Sequence, residues 1–443
     1  MQARPLPAWP ANLQSAVAVD RPAAGAQWDA SLTCVAGFIL TSVGRIHQLF
    51  PVLSALKPAL VTGTLAVALY LASARGVRAI DKLWSPTTRY TLLVLLWVAL
   101  SVPGALWQRG SFELLTDDFI KTVVMYLVIV GTVRAPRDVE RLVCVYFFAA
   151  VLYAAVVLWR FDLGQSGRLA NLYYYDANDF ATFVVTALPF GLYFLLGQRR
   201  VALRTGAAVG LVLLIGAFVR TGSRGGFLAL LGVAAFFVVG YSAVRARWRI
   251  LGTAAIALLF STTASDSYWE RMRTILHPEE DYNYSASGGR WQLWQRGAGY
   301  MLQHPFLGVG AGNFATAEGT LSPLAQLQER GIGVKWSAAH NSFVQIGAEL
   351  GVPGLLFFVG VIASAFGALR AVRRVERTRP PAVRGPRHLA LPLMASLIGF
   401  VGGAMFLSLA YQAMLYTLAA LAVGLRKVTP VAPAPAGPVS LRR

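Results

Sequence analysis

The chain has 443 residues, of which 56% are hydrophobic and 14% charged, and its mean hydropathy is +0.55. Soluble domains carry about 25% charged residues, so the composition excludes an ordinary soluble domain and points to a membrane protein. The formal net charge of +20 would suggest nucleic acid on a soluble protein, but its placement along the chain excludes that reading.

Residues 1–30, opening "MQARPLPAWPANLQ", are polar and Pro-rich and lack the charged-then-apolar order of a cleaved signal peptide. They read as a tail ahead of a retained first span. Crossing a bilayer takes about 20 apolar residues, and the apolar runs predict an all-α polytopic bundle of twelve helices. Nine fill residues 31–265, at 31–50, 52–72, 89–107, 119–134, 139–160, 177–197, 201–219, 226–244 and 250–265. One long connection, 266–340, leads to three more within 341–426, at 341–369, 389–409 and 411–426, and 427–443 forms a second tail. Cys34 and Cys144 lie inside apolar runs and read as packing residues, with no disulfide framework or zinc spacing.

An even number of spans puts both termini on one side. The tails and the connections on that side hold Arg75, Arg78, Lys82, Arg134, Arg199, Arg245 and seven arginines from Arg370 to Arg387, among 26 of the 40 basic residues with 6 of the 20 acids. The rest of the chain is neutral, so the whole excess lies on one face, which the positive-inside rule makes cytoplasmic. The basic balance therefore reports topology and contact with membrane lipids, and no nucleic-acid partner is expected. The chain lacks G-x-x-x-x-G-K-[ST] and room for an ATPase domain, which argues against an ATP-driven pump.

Four stretches on the opposite face carry chemistry. "SGRLANLYYYDANDFAT", 166–182, sets Arg168 and the Asn178/Asp179 pair around three tyrosines; Asn178 or Asp179 is expected to cap the helix that follows, and the aromatics suit sugar stacking or an interfacial belt. "VRTGSRGGFLAL", 219–230, is a turn too short to carry Arg220 and Arg224 away from the bilayer surface. Ser223 is a natural N-cap there. A helix N-terminus beside an arginine suits a phosphate, and the same turn also reads as two snorkelling arginines.

The third stretch, "SGGRWQLWQRGAGYMLQHPFLGVGAGNF", 287–314, puts Arg290 at a helix start after two glycines and Trp291 and Trp294 on one helix side. Arg290 could bind an anion or pair with an acid at 279–281. "LGVGAGNF" has no preceding strand and no following lysine, and reads as a turn back to the membrane. In the fourth, "KWSAAHNSFVQIGAELG", 335–351, His340 precedes two N-cap candidates, Asn341 and Ser342. The helix dipole there favours a neutral imidazole, which could serve as a general base or as an interfacial histidine bonded to a carbonyl. Glu349, nine residues on, faces the other side and reads as a partner for a basic group. His47, His277, His304 and His388 have weaker settings, no two histidines stand at ligand spacing, and no metal site or cofactor is expected.

In order, "GR…N.NDFA", "TGSRGG", "GGRWQLW…HPFLGVGAGNF" and "HNSFVQIGAELGVPGLLFF" resemble the O-antigen ligase and polymerase superfamily of bacterial envelope glycan assembly, over most of residues 160–360. Twelve spans with one late periplasmic loop look like its ligase branch and like the multi-span, GT-C-like, lipid-dependent glycosyltransferases. The resemblance implies inverting, metal-independent transfer at the periplasmic face of the inner membrane. It implies a glycan donor on undecaprenyl pyrophosphate and a sugar hydroxyl of lipid A-core as acceptor. It casts His340 as the base and Arg224 and Arg290 as pyrophosphate ligands; Arg220, Arg168, Lys335 and Asn178 match by location as further substrate contacts. A polymerase or a protein O-oligosaccharyltransferase of the superfamily would share the donor. A flippase would instead use charges along a path, but ionisable residues inside the spans are few, chiefly Arg45, Lys57 and Glu349.

Overall fold

The computed structural model describes residues 28–73, 83–164, 167–170, 172, 175–197, 200–241, 244–277, 279, 281, 284, 286, 288–331, 333, 335–378 and 389–429. Most of both expected tails, the basic residues Arg75, Arg78, Lys82, Arg199, Arg379, Arg384 and Arg387, and also Tyr173, Tyr174, Glu280 and His388, lie outside the described residues.

The described residues are helical, with a single isolated bridge between Leu163 and Leu169. The main helices are α1 (Ala30–Phe38), α2 (Pro58–Ala72), α3 (Pro86–Ser101), α4 (Ile120–Thr132), α5 (Pro136–Arg160), α6 (Ala177–Gly197) and α7 (Val201–Thr221). They continue as α8 (Arg224–Gly240), α9 (Ala246–Thr263), α10 (Asp266–Arg273), α11 (Arg290–Gln303), α12 (Ser342–Thr378), α13 (Ala390–Ala404) and α14 (Ala413–Lys427). Local chemistry starts several of them. Asp29 accepts from Leu32 N–H at 2.7 Å to cap α1, and Ser85 accepts from Thr88 N–H at 3.1 Å ahead of Pro86 in α3.

This is an integral membrane protein of helical architecture. Among the described residues five helices are long and apolar enough to cross a bilayer, Pro86–Gly104, Pro136–Arg160, Ala177–Gly197, Val201–Thr221 and Ser342–Arg377, and a sixth crossing arises if the pair bent by 111° at α9–α10 counts as one. Helices also occupy the other expected positions, but they are shorter. At 1.5 Å per residue a 15-residue helix such as α2 or α13 reaches only about 22 Å, against a hydrocarbon core of about 30 Å.

At two places the apolar runs do not register breaks. The run at 31–50 becomes an α-helix, a π-helical turn (Ile39–Val43) and a 3-10 turn (Ile46–Leu49). The run at 341–369 breaks at Gly351 (φ 69, ψ −169), where an added Cβ would stand 2.4 Å from Pro305 O. Only glycine fits both that φ and that contact.

The core is assembled around α6, α12, α13 and α14. α13 packs on α6 and α8, α12 on α3 and α14, and α11 on α12. Tyr146, Phe183, Phe190, Phe400 and Tyr416 are fully buried there. Polar side chains satisfy one another inside it: the Tyr146 and Thr186 hydroxyls lie 2.7 Å apart, and Ser396 Oγ donates to Thr186 O at 2.7 Å. Close approach of small residues replaces the hydrophobic drive that lipid removes. The outward faces of α7 and α9 leave Val209, Val212, Ile250, Leu251 and Leu258 exposed, as lipid-facing surfaces do.

Candidate active site

The site is organised by the segment Met405–Gln412, which joins α13 to α14. The N-terminus of α12 docks on it. Ser342 Oγ donates to Leu407 O at 2.7 Å and accepts from Leu409 N–H at 2.8 Å, and His340 N–H donates to Ser408 Oγ at 3.0 Å. Asn341 is the N-cap of α12, its Oδ1 accepting from Phe343 N–H at 2.9 Å and Val344 N–H at 3.1 Å. Ser342 is thereby free to bind the segment. His340 itself is held at φ +49, a left-handed conformation that costs a non-glycine residue about 1–3 kcal/mol and recurs at functional sites.

The His340 imidazole is half-buried, and its pKa lies below the ordinary imidazole value. Burial is the main cause; the nearby charges of Arg290 and Lys335 push the same way, and Asp176 opposes them. Neutrality was expected from the helix dipole, and the larger push is desolvation. The structure thus brings His340, Arg290 and Lys335 within electrostatic reach of one another. It adds Asp176, which sequence reasoning passed over. Asp176 is also the N-cap of α6: its Oδ1 accepts from Asn178 N–H at 2.6 Å and Asp179 N–H at 2.8 Å. The expectation that Asn178 or Asp179 caps α6 is corrected by these two bonds, which only an acceptor preceding both residues can make.

Arg224 stands at the first turn of α8. Gly222 (φ +56) ends α7, and Ser223 caps α8 as expected, accepting from Gly226 N–H at 3.1 Å. The Arg224 guanidinium is ion-paired with Asp281 and donates to Thr274 Oγ1 at 2.5 Å. Asp281, one of the acids of the 279–281 cluster, thus serves Arg224. Arg224 and Arg290 share a cleft of about 210 Å³ walled by Tyr284, Trp291, Trp294 and Phe406. Trp294 Nε1 donates to Ala339 O at 3.0 Å, which fastens α11 beside His340. Two cations, one of them paired with Asp281 in the same cleft, four aromatic walls and an adjoining imidazole of lowered pKa suit an anionic group attached to an apolar or sugar moiety.

The remaining candidates have structural partners. Arg220 Nη1 donates to Leu158 O at 3.3 Å and Phe161 O at 3.5 Å, tying α7 to the end of α5. Arg168 donates from Nε to Thr221 O at 3.1 Å and from Nη2 to Asn178 Oδ1 at 3.2 Å, so Arg168 and Asn178 together brace the α7–α8 turn against α6.

Glu349 does not pair with a base among the described residues. Its buried carboxylate accepts from Gly312 N–H at 3.0 Å, Phe314 N–H at 3.2 Å and Tyr411 O–H at 2.8 Å. It therefore clamps the glycine turn of 308–312 and the 405–412 segment to α12. That turn has φ of +63, +98 and +74 at its three glycines, and Gly308 lies so close to the α12 backbone that an added Cβ would meet Glu349 C at 2.3 Å. "LGVGAGNF" is a turn, as expected, and it docks on α12. Among the described residues no three His, Cys, Asp or Glu side chains cluster as a metal site.

No curated protein matches the chain. Residues 209–359 match a family model described as O-antigen ligase. This region holds Arg224, Arg290, His340 and Glu349, and over it the chain is similar to the O-antigen ligase family.

Proposed function

We propose that the chain is an O-antigen ligase. Members of the superfamily are glycosyl-transferring ligases and polymerases, so a transferase acting on lipid-linked glycan is its function at the coarse level. In the finer reading it moves O-antigen polysaccharide from undecaprenyl pyrophosphate to a sugar hydroxyl of lipid A-core. The observation that carries this is the adjacency of a neutral, half-buried His340 to a cleft holding Arg224 and Arg290.

A glycosyl pyrophosphate already carries a good leaving group. The protein must position the acceptor, take one proton and stabilise growing phosphate charge. His340 takes the proton from the acceptor hydroxyl as that oxygen attacks the anomeric carbon from the face opposite the leaving group, which inverts the centre. The C–O bond to pyrophosphate breaks, and Arg224 and Arg290 hold the departing charge. Asp176 stabilises the imidazolium that forms. Glu349, Ser342 and Ser408 position these groups. The one-sided charge supports an inner-membrane protein with cytoplasmic termini and a periplasmic site, on a twelve-span, GT-C-like frame.

The test is reconstitution of the full chain with lipid A-core and a lipid-linked glycan. Transfer to core, lost in His340→Ala, is expected. Chain extension without transfer to core would make it a polymerase, transfer to a protein hydroxyl an O-oligosaccharyltransferase, and movement across the bilayer without bond formation a flippase.

A further inference from the structure

A cavity of about 930 Å³ shares no lining residue with the Arg224–Arg290 cleft, and the chemistry above assigns it no ligand. Its charged lining comes from helix ends: Arg45 and His47, beside Gln48, between α1 and α2, Lys57 at the N-cap of α2, and Asp117, Asp118 and Lys121 at the start of α4. One to three turns further along the same helices much of the lining is apolar: Phe38 on α1, Gly63 and Val67 on α2, Val124 and Met125 on α4. The cavity is therefore amphiphilic along its length, with charge at the helix ends and hydrocarbon within the bundle.

Two further observations mark it as a built site. The described non-glycine residues with positive φ are Arg45 (+49), Lys57 (+43) and His340 (+49). Two of the three are cations on this cavity, and strained backbone of this kind is held where function requires it. The Arg45 guanidinium is fixed over the Tyr175 ring at 4.8 Å, while Lys121 is paired with Asp117 at 3.5 Å. Second, the 405–412 segment separates the two spaces. Phe406 walls the arginine cleft, whereas Ser408 and Tyr411 line the large cavity, and Ser408 is the acceptor of the His340 N–H. Both spaces thus reach the segment on which His340 is anchored.

We propose that this cavity binds a membrane-dissolved phosphorylated glycolipid. Arg45 and Lys57 take its phosphate, Asp118 and Gln48 accept from and donate to its sugar hydroxyls, and the α2–α4 wall takes its chains. The acids would repel a bare polyanion and suit a headgroup of mixed phosphate and hydroxyl character, and the apolar wall has no use for a free ion. The occupant's place in the reaction rests on the reading of His340 as base, under which it is the acceptor.

The test is binding to the full-length protein in detergent, read by native mass spectrometry. The probes are lipid A, its dephosphorylated form, undecaprenyl phosphate and inorganic pyrophosphate. Lipid A is expected to bind about tenfold or more tighter than the dephosphorylated form, since charge-assisted bonds to phosphate are lost. Arg45→Asn/Lys57→Asn should erase that difference, asparagine being chosen because it tolerates left-handed backbone. Thr64→Trp, which fills the slot from α2, should weaken both forms.

Equal binding of the two forms to the wild-type protein overturns the proposal even if the variants fail to fold. So does unchanged binding in folded variants, displacement by inorganic pyrophosphate at equal concentration, or preferential occupancy by undecaprenyl phosphate. Phosphate-dependent binding together with full transfer by His340→Ala would sustain the cavity and remove the base. Loss of transfer in His340→Ala with phosphate-independent binding would do the reverse.

Discussion

Arg224 and Asp281, which both line the arginine cleft, form an ion pair, 26% and 9% exposed at their side chains. Asp281 holds the guanidinium in place but also places a carboxylate where a pyrophosphate is to sit. Arg224→Ala therefore does two things: it removes a phosphate ligand and takes the Arg224 partner from a largely buried carboxylate. Breaking a buried pair from one side costs up to about 3–5 kcal/mol. In the double variant Arg224→Ala/Asp281→Asn the carboxylate charge is gone. The expected result is a low melting temperature and a strongly raised donor KM for the single variant, with melting temperature and part of the donor affinity recovered in the double. A double variant no better than the single would show that Asp281 does not face the bound donor.

The pH profile tests the groups around His340. A base must be neutral to accept a proton, so activity rises with pH through the imidazole pKa and is flat above it. Because burial, Arg290 and Lys335 lower that pKa, the acid limb of kcat/KM is expected below the ordinary imidazole range. Asp176 favours the protonated ring, so Asp176→Asn should move the limb further toward acid and lower the plateau, since the imidazolium formed in transfer loses its counter-charge. Arg290→Gln removes a lowering charge and should move the limb toward alkali. Shifts in the reverse directions, or none, would place the titrating group elsewhere.

Much of this site was legible in the sequence, and what escaped did so for definite reasons. Ser223 and Asn341 cap the helices their positions suggested, because a cap is a matter of three or four consecutive residues. Asp176 escaped because "DAND" offers three acceptors within four residues, and only the fold shows which one sees the free N–H groups. Arg220 and Arg168 looked like Arg224 in the chain. The difference lies in carbonyls at 158, 161 and 221 that folding brings to the first two. Helix positions followed from apolar runs, whereas breaks inside them did not, since the break at Gly351 depends on Pro305 arriving from another element. The pairing of Arg224 with Asp281 and the meeting of Trp294 with Phe406 are relations of the bundle, with no local pattern to announce them.

Ser408 should control kcat more than KM. Its Oγ is the acceptor for the His340 N–H, and the left-handed backbone at His340 depends on such support. In Ser408→Ala the N–H loses its partner, at about 1–3 kcal/mol if water does not replace it, and the imidazole moves off the acceptor hydroxyl. A displacement of about 1 Å costs roughly a hundredfold in rate. Ser408→Thr keeps the acceptor oxygen and should keep most of the rate. Equal kcat in all three proteins would mean that His340 is positioned by Ser342 and Asn341 alone.

Glu349 is the last of the positioning groups and the most costly to remove. Its carboxylate accepts two backbone N–H groups, of Gly312 and Phe314, and the Tyr411 hydroxyl, all buried against α12. Glu349→Ala leaves all three donors without an acceptor, at about 1–3 kcal/mol each, and frees the 308–312 turn from the helix that carries His340. Glu349→Gln keeps one carbonyl oxygen but turns an amide N–H₂ toward a donor, so it should fall between the two. The expected order of melting temperature in detergent, and of transfer rate, is wild type, Gln, Ala. Tyr411→Phe removes one donor and leaves the carboxylate its two N–H groups, so it should cost less than Glu349→Gln. If Tyr411→Phe proved as damaging as Glu349→Ala, the hydroxyl would be needed for something other than holding the carboxylate, and the large cavity that Tyr411 lines would be the place to look for it.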